Sequence, residues 1–120
     1  MHEVFIKTEK PYKVVIENGL IDLTGKLLLK IKSPCKAVII SDVSVSKLYA
    51  DRLIASLKSN SYEPLIFVFN DGEKSKNLTT VNNIYNFLYE NKVRRSDLII
   101  SLGGGVCGDM AGFAAATYLR

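Results

Sequence analysis

"DLIISLGGGVCGDMAGFAAATYLR", residues 97–120, is the stretch whose reading decides the fold. It opens with an apolar run, "DLIISL" (97–102), of strand-like composition. A glycine cluster follows, with glycine at positions 103, 104, 105 and 108 and Asp109 directly behind it. Small apolar residues then continue in a helix-like run. Strand, glycine turn and helix in that order are the local plan of an α/β unit.

Two further apolar runs lie upstream, "KAVIIS" (36–41) and "PLIFVF" (64–69). All three are rich in β-branched or aromatic residues and apolar on both faces, as in strands covered on both sides of a parallel sheet. Helix-like segments separate them. In 45–58, Val45, Leu48, Tyr49, Leu53 and Leu57 share one helical face, and in 78–90 so do Leu78, Val81, Ile84, Tyr85, Leu88 and Tyr89. Ser44 and Asn77 stand where N-caps are useful. Residues 1–35 read differently. "EVFIK" and "YKVVIE" are strand-like, with Tyr12, Val14 and Ile16 alternating as a half-buried face. Asn18-Gly19 breaks the second strand, and a helix is expected from Leu20 to about Ile31, ended by Ser33-Pro34. The expectation is one α/β domain over 1–120. Its fold is Rossmann-like and doubly wound, with a mainly parallel sheet and an N-terminal strand pair.

Composition agrees. A chain of 120 residues, 48% hydrophobic and 23% charged, can bury a real core and is ordinary for a globular protein. There is no apolar run of the roughly 18 residues a membrane helix needs, and "MHEVFIKTEK" has no signal-peptide core, so a cytoplasmic protein is expected. Cys35 and Cys107 have no metal-type spacing, and the single histidine is His2, so no metal site is expected from this chain alone. The net charge of +4 comes with no interleaving of aromatic and basic residues, which argues against nucleic acid. A modest attraction for phosphates remains.

Gly103, Gly105 and Gly108 match G-x-G-x-x-G, behind a strand and opening a helix. Glycine lets a ligand approach the main chain, and free N–H groups at a helix start face an anion. A tight packing turn with nothing bound fits the same letters. Asp109 could cap the helix or accept from a ribose hydroxyl. "NDGEKSKN" (70–77) lies at the carboxyl end of the preceding strand, where open α/β sheets place ligands. There Asp71-Gly72 signals a turn, Glu73 can accept from hydroxyls, and Lys74 and Lys76 can neutralise phosphate. "SDVS" (41–44) occupies the same place one strand earlier. Three such loops at one sheet edge are better evidence than any one of them.

Taken together, "DGEKSKNL", "LGGGVCGDMAGFAAATYLR" and "YKVVIENGLI" resemble the N-terminal, NAD-binding region of the 3-dehydroquinate synthase family, among the sugar-phosphate cyclases. The resemblance implies conversion of 3-deoxy-arabino-heptulosonate 7-phosphate to 3-dehydroquinate in the shikimate pathway, with NAD accepting and returning a hydride. It implies NAD-binding segments at Asp71, Gly72, Glu73, Lys74, Ser75 and Lys76, and at Gly104, Gly105, Val106, Cys107, Gly108 and Asp109. Asp42 and Ser44 would make a weaker adenosine-side contact, and Arg120 would touch substrate. It further implies a homodimer and a divalent metal, zinc or cobalt. That metal is held by a glutamate and two histidines of a second, mostly helical domain, which is not in this sequence. The expectation is therefore a fragment, inactive alone. Other sugar-phosphate cyclases and glycerol-dehydrogenase-type enzymes remain alternatives, as does a stand-alone, non-catalytic nucleotide-binding module.

Overall fold

The computed structural model describes residues 1–119. The elements run β1 (His2–Ile6), β2 (Tyr12–Ile16), α1 (Leu20–Leu28), β3 (Lys36–Asp42), α2 (Val43–Ser59), β4 (Glu63–Phe69), α3 (Leu78–Glu90), β5 (Leu98–Leu102) and α4 (Gly105–Thr117). A short 3-10 turn at Glu73–Ser75 follows β4. β1 and β2 pair antiparallel as a separate two-stranded sheet. The other three strands are parallel in the order β4-β3-β5, with Ile39 opposite both Ile66 and Ile100.

β3 is central and covered on both faces, so its apolar residues need not alternate with polar ones. Ala37 and Ile39 pack with Leu53, Leu57 and Tyr62 on the side of α1 and α2. Val38 and Ile40 pack with Val81, Ile84, Leu88, Met110 and Ala114 on the side of α3 and α4. From β3 the chain first winds to β4 and then crosses back to β5. Two crossovers of one hand running in opposite directions place their helices on opposite faces. The doubly wound α/β expectation therefore holds. The reversal leaves a crevice between the carboxyl ends of β3 and β5, the switch point where such sheets bind ligands.

Two polar devices hold the layers. Gly25 N–H donates to Ser56 Oγ at 2.9 Å, and a Cβ on Gly25 would stand 2.3 Å from the Ser56 carbonyl oxygen, so α1 and α2 touch backbone to backbone. At the amino edge, Asp97 accepts from Lys36 N (3.1 Å) and Arg94 N (2.8 Å), tying the start of β3 to the turn before β5.

Several expectations need correction. α2 starts two residues early, and its N-cap is Asp42, not Ser44. The buried face of α2 is Ala50, Leu53, Ser56 and Leu57, whereas Leu48 (68% exposed) and Tyr49 face out. Leu78 and Tyr89 of α3 are exposed for the same reason: the sheet takes a narrower stripe than the apolar pattern offered. α1 ends at Leu28, and tight turns carry the chain through Ile31 and Lys32. In β2, Tyr12, Val14 and Ile16 are exposed and Val15 is half-buried, because among the described residues nothing covers that face.

Candidate functional site

Three segments meet at the carboxyl edge of the parallel sheet. The first closes β3. Asp42 Oδ1 accepts from Val45 N at 2.8 Å and caps α2. The other oxygen, Oδ2, lies 3.8 Å from where a Cβ on Gly103 would be, so Asp42 borders the glycine turn across the crevice.

The second segment follows β4. Ser44, in the first turn of α2, donates from Oγ to Asp71 Oδ2 at 2.5 Å. That bond is the main cause holding the Asp71 carboxyl below its ordinary range, with lesser help from a backbone bond and the Lys47 charge. Gly72 turns the chain with φ of +100°, a conformation glycine adopts readily. Glu73 and Lys74 are exposed and Ser75 is half-buried in the 3-10 turn. Asn77 closes the loop. Its Oδ1 accepts from Thr80 N to cap α3, and its amide donates to the Lys74 carbonyl, both at 2.8 Å.

The third segment is the glycine turn. Lys76 Nζ lies 2.7 Å from Asp109 Oδ2 and 3.8 Å from Glu73 Oε1, joining the loop after β4 to the first turns of α4. The hydrogen bond and charge of Asp109, then the charge of Glu73, raise the Lys76 pKa above the ordinary lysine value. Gly103 has a packing reason: a Cβ there would meet Cys107 Cβ at 3.0 Å. Gly104 and Gly105 have none. A Cβ on either would meet no atom of the described residues within 4 Å. Gly104 stands at the N-cap of α4, which receives no side-chain cap. α2 and α3 begin at the same sheet edge and are capped by Asp42 and Asn77. α4, like α1 with Gly19 at its N-cap, leaves first-turn N–H groups without a side-chain cap, the arrangement that takes an anion.

The nominated residues therefore fall into groups. Asp42, Ser44, Asp71, Gly72, Glu73, Lys74, Ser75, Lys76, Gly104, Gly105, Gly108 and Asp109 are brought to one edge. Cys107 is in the core, 1% exposed. Its thiol donates to the Ile40 carbonyl at 3.0 Å, and burial is the chief cause raising its pKa. Val106 packs against the α3/α4-side core. These two can offer a ligand only their main chain. Arg120 lies outside the described residues. Sequence reading missed Ser41, a fully buried hydroxyl between Asp42 and the glycine turn; a polar letter closing "KAVIIS" was the available signal. An open groove of about 550 Å³ adjoins Gly103 on the α1/α2 side, bordered by Gly19, Tyr49 and Arg52. Among the described residues, no three His, Cys, Asp or Glu side chains gather as a metal would require.

The crevice can thus present N–H groups and lysines to phosphates, and carboxylates to hydroxyls. The chain also resembles known proteins. Residues 66–120 match the family model described as 3-dehydroquinate synthase N-terminal. The chain is 48% identical to the 3-dehydroquinate synthase of Streptococcus gordonii over 92% of its own length and 31% of that protein's. It is 45% identical to that of Streptococcus thermophilus over 98% of its length and 33% of that protein's. The chain thus spans about a third of the length of these relatives. A crystal structure of 2-deoxy-scyllo-inosose synthase superposes with a TM-score of 0.86 at 21% identity, over 99% of this chain and 34% of that one. This likeness shows the fold. A 2-epi-5-epi-valiolone synthase from Streptomyces hygroscopicus, solved with NAD+ and Zn2+ bound, superposes with a TM-score of 0.77 at 29% identity, over 98% and 32%. The resemblance carried by the two loop motifs extends over nearly the whole chain.

Proposed function

We propose that this chain is the NAD-binding part of a 3-dehydroquinate synthase, the enzyme that turns 3-deoxy-arabino-heptulosonate 7-phosphate into 3-dehydroquinate and phosphate. The observation that carries the reading is the start of α4. Its N-terminus has no side-chain cap, and Gly104 and Gly105 are glycines for which neither positive φ nor packing gives a reason. Space kept clear above unpaired N–H groups is space for a phosphate.

The residues present fit a dinucleotide. The N–H groups of Gly105, Val106 and Cys107 would hold the pyrophosphate, with Lys74 and Lys76 neutralising it. Asp42 and Glu73 would accept from ribose hydroxyls, and Asp109 would exchange its bond with Lys76 for one to the ligand. When bound, NAD supplies a reversible hydride acceptor for the sugar, which eases loss of phosphate. The metal of the same reading is different: no cluster among the described residues fits it, and it is not assigned to this chain.

A homodimer and a cytoplasmic setting belong to the same reading. The exposed Phe5, Tyr12 and Ile16 of the β1–β2 hairpin support a partner contact. No helix among the described residues is long and apolar enough to cross a membrane. Another sugar-phosphate cyclase is the second reading, favoured by the names of the structural neighbours. The identities of 45–48% to 3-dehydroquinate synthases, against 21–29% to those neighbours, favour the first reading. Calorimetric titration of NAD into the chain and into Asp109→Ala tests the proposal. Saturable binding that weakens in the variant supports it, and equal binding by both removes Asp109 from the site.

A further inference from the structure

Ser41 is fully buried, yet it follows Val38, Ile39 and Ile40 in a strand where an apolar side chain would satisfy the packing. A buried hydroxyl costs free energy unless it is hydrogen-bonded. Its partner here is specific. Ser41 Oγ donates to the carbonyl oxygen of Leu102 at 2.7 Å. Leu102 ends β5 and is the residue before Gly103, while Ser41 is the residue before Asp42. The strands already pair here, Ser41 standing opposite Leu102, and this bond adds a side-chain tie at the strand ends that carry the two walls of the crevice. Beneath it, the Cys107 thiol fastens the first turn of α4 to Ile40 of the same strand. The Leu102 carbonyl is thus the joint between a fixed helix start and the carboxylate of Asp42.

We propose that Ser41 is a positioning residue for dinucleotide binding, setting the separation between the Asp42 carboxylate and the glycine turn. The inference rests on the NAD reading above. It gives the two walls separate chemical tasks: Asp42 takes a ribose hydroxyl and the glycine turn takes phosphate. A ligand spanning both walls depends on their separation. A ligand engaging only the turn does not. Removing one buried oxygen leaves the surrounding apolar contacts in place, so Ser41→Ala should loosen the joint without unfolding the domain.

The test uses the 120-residue chain, its Ser41→Ala and Ser41→Thr variants, and two probes, NAD and inorganic pyrophosphate, titrated calorimetrically. Ser41→Ala is expected to weaken NAD about fivefold, the worth of one hydrogen bond, with pyrophosphate binding unchanged. Ser41→Thr, which keeps the hydroxyl, is expected to bind NAD like the parent. Equal NAD affinity for parent and Ser41→Ala overturns the proposal. So does parallel weakening of both probes with a lowered melting temperature, which marks a purely structural hydroxyl. Amide proton spectra of Gly103, Gly104 and Gly105 without ligand separate the two levels. If the parent binds neither probe, the NAD reading fails. The role in dinucleotide binding falls with it; shifted glycine amides in Ser41→Ala would then show only that Ser41 sets the shape of the turn, and unmoved amides would overturn that as well.

Discussion

Lys76 Nζ and Asp109 Oδ2 stand 2.7 Å apart, and this contact links the loop after β4 to the helix after β5. Both groups face solvent, so the pair adds little to stability and is open to exchange when an anion arrives. Its signature is electrostatic. The folded-state pKa of Lys76 is raised, so the pair's contribution is complete below the unfolded-state lysine value and is lost as pH climbs through the higher folded one. Asp109→Asn is expected to bring the Lys76 pKa down toward the ordinary value in an NMR titration. An unchanged Lys76 pKa would show that the pair is not formed in solution.

The bond from Ser44 to Asp71 runs with the opposite sign. It lowers the Asp71 pKa, so its contribution is present above the unfolded-state value and is lost as pH falls through the folded one. Ser44→Ala should raise the Asp71 pKa toward the ordinary aspartate value of about 3.9, observed in carboxyl chemical shifts between roughly pH 2 and 6. A flat response to the substitution would remove Ser44 as the partner.

Two glycine-to-alanine changes should behave oppositely. Gly25→Ala drives a methyl to 2.3 Å from the Ser56 carbonyl and 2.7 Å from the Asn60 amide nitrogen. The backbone of α2 must shift, and urea melts should show a loss of about 2 kcal/mol despite the better helix propensity of alanine. Gly105→Ala meets no atom of the described residues within 4 Å and should gain about 0.5 kcal/mol, while NAD affinity falls because the methyl fills the space above the helix start. Stabilisation with undiminished NAD binding would place the dinucleotide elsewhere.

Leu57 and Leu48 share an apolar stripe in the sequence but not in the fold. Leu57 is 0% exposed and Leu48 is 68% exposed. Leu57→Ala should cost about 3 kcal/mol in chemical denaturation, and Leu48→Ala less than about 0.5. Equal losses would mean that α2 is rotated relative to the sheet.

The contrast between those leucines shows what the residues could and could not reveal. β3 was legible because Ala37, Val38, Ile39 and Ile40 are apolar without alternation, which only a doubly covered strand tolerates. Asn77 was legible as a cap because an asparagine stands directly before the apolar periodic run of α3. The rotation of α2 was not, since Leu48, Leu53 and Leu57 look alike until the sheet selects among them. Asp42 and Ser44 were both nominated for one site, but letters two apart could not show that Asp42 caps α2 while Ser44 reaches across to Asp71. The Lys76 and Asp109 pair joins residues whose nearness depends on β5 lying across β3 from β4, a fact of topology rather than of local pattern. In β2, alternation implied a covered face, and alternation says nothing about what does the covering.

The strand order also dictates a sequence of assembly. β3 can pair with β4 soon after α2 forms, but Ser41 must wait for Leu102, 61 residues further along the chain. During synthesis the central strand stands with one edge bare until β5 emerges, and the walls of the crevice do not face each other before then. A chain stopped short of the glycine turn would carry the loops at Asp42 and Asp71 with nothing opposite them. If the crevice takes a dinucleotide as proposed, its recognition depends on the pairing of β5 with β3, and occupancy of the crevice would report that β5 has docked.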